Sequence, residues 1–201
     1  MIIPESDVLP YFTGTRLFSD ELMSDALPKR IADGLREAQW RGLRAKLSVT
    51  ATRGLALGHA YVKPLVITST TPYISHYPDL DHVRTWKGVP RSIFEATLPF
   101  TGTNELWLLR PDSLRKVYVR GNAPVLGDEG AVTLSMSVQV GHEHLVADAF
   151  QKEFALLKRV LVAQEEQVNR FNARLRATIE EHVPSRASLA RAHDAIRNVT
   201  F

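Results

Sequence analysis

The spacing of apolar residues changes period twice along this chain, and the changes divide it into a helical start, a strand-rich middle and a helical end. Ser19-Asp20-Glu21 places a cap residue and two acids ahead of Leu22, Met23 and Leu27, which suits the positive end of a helix dipole. Pro28 restarts the helix, and from Lys29 to Ser48 the positions Ile31, Leu35, Ala38, Leu43 and Leu47 approximate helical spacing. The other side of that helix carries Arg30, Arg36, Arg41, Arg44 and Lys46. Between residues 51 and 88 the period is lost: Gly54, Gly58, Pro64, Pro72 and Pro78 interrupt short runs, so loops are expected, with one strand near Leu65-Val-Ile-Thr-Ser-Thr70.

Strand patterns follow at 92–98, 105–109 and 116–120, each bounded by turn residues. In the last run, 131–140, Val132, Leu134, Met136, Val138 and Val140 alternate with small or polar residues, the period-two mark of one buried face. An antiparallel meander accounts for these four runs.

After Gly141 the period becomes helical. Phe150, Phe154, Leu157, Leu161, Gln164, Val168, Phe171, Leu175 and Ile179 recur at steps of four and three with no proline or glycine before Pro184. Ser185 then caps a second helix striped by Leu189, Ala192, Ile196 and Val199, giving a long C-terminal helical hairpin. The fold expected is α+β in a single domain, 1–201: an N-terminal helical part (1–50), a loop-rich part (51–91), the sheet (92–140) and the hairpin (142–199). Leu145, Val146, Leu156 and Val160 widen the apolar seam beyond what a strict dimeric coiled coil needs. Leu161, Val168, Phe171 and Leu175 are therefore candidate contacts for a second copy or another protein.

Composition narrows the function classes. With 201 residues the chain is long enough to bury a core without staples, and it has no cysteine, which excludes disulfides, thiolate metal sites and a cysteine nucleophile. That usage fits a reducing cytoplasm. Neither a leader-like N-terminus nor an apolar run of membrane-spanning length occurs, so neither export nor membrane insertion is expected. Lysines and arginines number 25 against 22 acids, a net charge of +3 that steers weakly over distance. Nucleic acid is thus a weak candidate partner, through Arg36, Arg41, Arg44 and Lys46 beside Trp40, a ring able to stack a base. Trp107, in an apolar run, is expected in the core.

Two histidine groups have ligand chemistry. His76, Asp79, Asp81 and His82 gather N and O donors suited to Zn²⁺, Mn²⁺ or Fe²⁺ within seven positions, but the spacing matches no metalloenzyme pattern, and a solvated turn capped by its aspartates is the simpler assignment. His142-Glu143-His144 falls at a strand-to-helix junction, where Glu143 is expected to cap. The chain contains no phosphate-binding glycine loop, no dinucleotide turn and no nucleophile elbow. No cofactor is expected, and an enzyme, if metal-dependent through the His76 loop, is the minority reading.

The phrase Leu98-Pro-Phe-Thr-Gly-Thr-Asn-Glu-Leu-Trp-Leu-Leu-Arg-Pro-Asp-Ser113, the strand 132–140 and the helix bearing Val168-Asn-Arg-Phe-Asn-Ala-Arg-Leu175 together resemble the N-terminal domain of bacterial proteins that carry a nuclease or Toll/interleukin-receptor effector module. The likeness covers roughly the second half of the chain, and neither phrase is a catalytic motif. It implies a non-catalytic sensing, partner-binding or assembly domain in bacterial anti-phage defence. Such proteins continue past the position of Phe201, so the effector is expected either as a downstream module or as a separate partner.

Overall fold

A computed structural model describes residues 9–18, 21–78, 90–123 and 128–183. It is α+β, as expected, with antiparallel sheets, helices near the N-terminus and one long helix near the end. Its elements are β1 (Tyr11–Thr13), β2 (Thr15–Leu17), α1 (Met23–Ala45), α2 (Val49–Ala60), β3 (Val66–Ile67), β4 (Tyr73–Pro78), β5 (Arg91–Thr101), a 3₁₀ helix at Asn104–Leu108, β6 (Val119–Gly121), β7 (Glu129–Gln139), a 3₁₀ turn at Glu143–Leu145 and α3 (Val146–His182). The second helix of the expected hairpin, 185–199, lies outside the described residues. Instead of four consecutive parts, the chain groups into two compact units, each assembled from distant segments. A sheet unit draws on Met1–Met23 and Lys63–Gln167, and a helical unit on Ser24–Val62 and Val168–Phe201.

In the sheet unit β5 and β7 pair over their whole length, from Arg91 opposite Gln139 to Thr101 opposite Glu129. β1 flanks β7, and both β3 and β4 lie along the other side of β5. The alternation in 131–140 is realised: Val132, Leu134, Met136 and Val138 have no exposed surface, and Ala96, Leu98 and Phe100 of β5 are buried with them. The strand ends at Gln139, and Val140 is exposed. The first turns of α3 belong to the same core, with Phe150 edge-on to Phe12 of β1 at 5.4 Å.

Residues 105–109 are not a strand. Leu106 and Trp107 are adjacent and both buried, which a strand with one buried face cannot provide, and bonds from Leu106 N–H to Thr103 O and from Leu109 N–H to Leu106 O, each 3.1 Å, wind the segment into 3₁₀ form. Trp107 is core, packed against Phe18 and Phe100 at 5.6 and 5.1 Å. Gln164 fixes this segment to α3: its Nε2 donates to Leu106 O and Leu109 O at 2.7 and 2.6 Å, which explains a polar residue within an apolar seam. Of the run 116–120 only Val119 and Arg120 are strand, and β6 pairs with β2 in a separate two-stranded sheet.

In the helical unit, residues 49–60, expected as loop, form α2. Ser48 caps it, its Oγ accepting from Ala51 N–H at 3.2 Å. Small residues at steps of four face each other across α1 and α2: Gly34, Ala38 and Gly42 on one, Thr52, Ala56 and Ala60 on the other. A Cβ at Gly34 would stand 3.1 Å from Ala56 O, and one at Gly42 2.8 Å from Thr52 Oγ1. By contrast Gly54 and Gly58, the two apparent breakers, open onto free space. α1 is continuous through Pro28 and closes at Lys46, whose φ of 50° accompanies a Leu47 N–H bond to Gly42 O. Leu175, Ile179 and Val183 complete this core with Ala38, Ala56 and Ala60. Asn172 clamps Val62 through both its N–H (3.3 Å) and its carbonyl (2.7 Å), and Arg53 donates to Val183 O and Glu180 O, closing the last turn of α3.

Candidate partner-binding cleft

The helical spacing that buries one stripe of α3 also brings Phe154, Leu157, Lys158, Leu161, Val162 and Glu165 onto one side of it, at steps of three and four. Within the sheet unit that side faces Leu65, Val66 and Ile67 of the β3 segment and Leu98 of β5 across a cleft of about 500 Å³. The floor is closed, with Leu157, Leu65 and Leu98 buried. Its mouth is apolar and open: Val66 and Val162 are each 49% exposed. Lys158 and Glu165 stand seven residues apart, about 10 Å along the helix, so one positive and one negative side chain flank the apolar opening.

Chemically the cleft offers burial of an apolar side chain with a charge of each sign at its edge. Filling it by one Leu- or Phe-sized group yields about 1.5–3 kcal/mol, and the flanking charges select orientation more than they add affinity.

The expected partner contacts separate on this geometry. Leu161 lines the cleft. Val168 and Leu175 have no exposed surface, and Phe171 is half-buried against the helical-unit core. The wide seam is therefore used inside the protein at Val168 and Leu175, a correction to their assignment as contacts, while Phe171 keeps part of its surface exposed. The Phe171-Asn172-x-x-Leu175 phrase builds the fold as well, and so does the Pro99-Phe100-x-Gly102 phrase. Gly102 has φ 123° and passes so close to Pro64 that any Cβ would collide with that residue's backbone.

The basic helix is partly self-neutralised. Arg36 pairs with Asp33 at 3.3 Å and Arg41 with Glu37, both one turn back along α1. Arg44 covers the Trp40 ring at 4.6 Å, and Trp40 is 55% exposed. Lys46 belongs to the helix stop described above. Of the proposed metal ligands, His76 is in β4 with its ring stacked on Phe94 at 5.6 Å, while Asp79, Asp81 and His82 lie outside the described residues. No group of three or more potential ligands occurs among the described residues. Glu143 stands in the first turn, but its carboxylate reaches back out of it, accepting from Gly141 N–H at 3.0 and 2.9 Å, and the turn has no side-chain cap bond. The bond from Gly141, helped by His142 and His144, holds its pKa below the ordinary carboxylate value.

Sequence spacing did not expose a second feature, the polar face of the sheet. Arg91, only 5% exposed, donates to Ser137 Oγ and Ser137 O, both at 2.9 Å, and lies over the Tyr11 ring. Glu95 accepts from Tyr77 OH at 2.8 Å and Ser135 Oγ at 3.0 Å. Alternation alone reads such residues as solvent-facing, yet Ser135, Ser137 and Gln139 are buried.

Among the described residues no helix is long and apolar enough to cross a membrane. No protein-family model matches the chain, and no significant match was found among curated proteins or solved structures.

Proposed function

We propose that this chain is a non-catalytic partner-binding domain that regulates an effector module, of the kind its sequence resemblance associates with bacterial anti-phage defence. One observation supports it above the others: the cleft along α3, whose buried floor, exposed valines and paired flanking charges suit the apolar side chain of a protein segment. The occupant expected is a short stretch of an effector or trigger protein that presents an apolar anchor, with an acid towards Lys158 and a base towards Glu165.

A nucleic-acid role for α1 is the second reading. The exposed Trp40 with Arg44 favours it, and the pairing of Arg36 and Arg41 with neighbouring acids weakens it.

Selection of a displayed peptide library on the wild-type chain, with counter-selection on Val162→Glu, tests the first reading. Val162 is half-exposed, so the substitution alters the cleft mouth without opening the core. Enriched peptides that share an apolar anchor and ignore the variant are expected. Enrichment that is equal on both proteins, or none, would overturn the assignment.

A further inference from the structure

The cleft along α3 is bordered by backbone as well as by side chains. β3 ends the strand order β1, β7, β5, β3, and among the described residues its only strand partner is β5. Val66 stands opposite Thr101 and Ile67 opposite Phe100, and Thr68 donates its N–H to Pro99 O at 2.9 Å. Backbone groups alternate in direction along a strand. Thr68 and Val66 therefore turn theirs towards β5, and Ile67 turns its N–H and C=O the other way. Among the described residues no hydrogen bond takes up either group of Ile67. Val66 and Ile67 point to opposite faces of the sheet, yet both line the cleft of about 500 Å³, so that cavity reaches round the edge of the strand. With β5 on one side of β3, the edge it reaches is the outer one.

An edge of two residues is too short to recruit a strand by itself, and brevity is one way natural sheets keep their edges from pairing at random. The cleft adds what length does not. Leu65, Leu98 and Leu157 give it a buried apolar floor, and Lys158 and Glu165 carry opposite charges on the α3 wall. The chain just past β3 is already fixed: Ser69 Oγ donates to Thr71 O at 2.9 Å and accepts from Thr71 N–H at 3.2 Å. That wall has little freedom left to lose on binding.

We infer that the protein segment bound in this cleft is extended and adds to β3 as a further strand, between the sheet edge and α3. The inference rests on the partner-binding reading of the cleft and names the conformation of its occupant. A helix keeps its backbone groups for itself and leaves Ile67 N–H and C=O unmet, whereas an extended chain supplies one C=O and one N–H to them. A spacing follows from the two charges. The roughly 10 Å between Lys158 and Glu165 is spanned by about three residues of strand or about seven of helix. An acid and a base about three residues apart, with an apolar anchor between them, are therefore the pattern this cleft selects.

The probe is a synthetic peptide taken from the display selection, enriched on the wild-type chain and lost on Val162→Glu, with an N-methyl group placed at each backbone position in turn. Calorimetric titration should show weakening of about fivefold or more at a single position, the one whose N–H meets Ile67 O. Methylation of either neighbour should leave binding nearly unchanged, because those N–H groups point away from β3. Acids and bases in the enriched set should stand about three residues apart. Charges about seven residues apart, or weakening at several consecutive positions, would overturn the extended occupant and leave the cleft assignment standing. So would indifference to methylation at every position. If no enriched peptide is lost on Val162→Glu, the cleft assignment falls, and this inference falls with it.

Discussion

Three glycines in two helices should respond to alanine in opposite directions, and the sign is set by what each Cβ would meet. At Gly54 and Gly58 of α2 it meets nothing within 4 Å. Replacing a helical glycine in open space removes backbone freedom from the unfolded chain and gains about 0.5–1 kcal/mol, with the larger share at Gly54, farther from the helix end. Gly54→Ala/Gly58→Ala together should therefore gain about 1–2 kcal/mol, and a chain of this size shifts in Tm by about 2–4 °C for each kcal/mol. At Gly42 the same propensity gain meets Thr52 Oγ1 at 2.8 Å. That hydroxyl cannot simply turn away, because it donates to Ser48 O at 3.1 Å. Overpacking of this kind costs about 1–3 kcal/mol, so Gly42→Ala should be neutral to destabilising by about 2 kcal/mol. Gly42→Ala/Thr52→Ala should recover part of the loss, a coupling that independent sites do not show. Urea and thermal denaturation followed by circular dichroism measure each of these variants. If Gly54→Ala/Gly58→Ala lowers Tm, α2 does not present that face to solvent. If Gly42→Ala stabilises as much as Gly54→Ala, the close α1–α2 crossing is wrong.

Other outcomes follow from single side chains. Leu175→Ala, at a position with no exposed surface, should cost about 2–5 kcal/mol by urea denaturation, whereas a partner-facing leucine would leave stability nearly unchanged. Burial raises the Glu153 pKa against a weaker lowering by the Arg120 backbone, so this carboxyl favours folding when protonated and loses that contribution as pH rises from the ordinary carboxylate range through its raised value. Glu153→Gln should accordingly raise the melting temperature at neutral pH, with the gain vanishing in acid; a pH-independent difference would contradict the assignment. Arg41→Glu with Arg44→Glu should scarcely alter binding to a short duplex, whereas genuine phosphate contact by the four basic residues would appear as a log-log salt slope of about −3 to −4.

Long periodic runs were legible from residue order. α3 and the buried face of β7 follow directly from spacing, since one period held over many residues admits one solution. What misled was local chemistry whose meaning depends on distant neighbours. Gly54 and Gly58 look like breakers until Thr52, Ala56 and Ala60 are seen to form a ridge against Gly34, Ala38 and Gly42. Leu106 and Trp107 look like strand because both are apolar, yet both are buried on one short 3₁₀ segment held by Gln164. The α3 seam was visible, but not its division between interior and surface: Leu161 reaches the cleft, while Val168 and Leu175 are enclosed. The wall opposite α3 comes largely from the segment 65–72, about ninety residues away in sequence, and no spacing rule connects it to α3.

The most direct test of the partner-binding claim is a calorimetric titration of one enriched peptide into the wild-type chain, Val162→Glu and Arg41→Glu/Arg44→Glu. Expected are a negative heat-capacity change from apolar burial, at least tenfold weaker binding to Val162→Glu, which corresponds to about 1.4 kcal/mol, and unchanged binding to the arginine variant. Affinity that survives Val162→Glu and falls with the arginine variant would contradict the account and move the binding surface to α1.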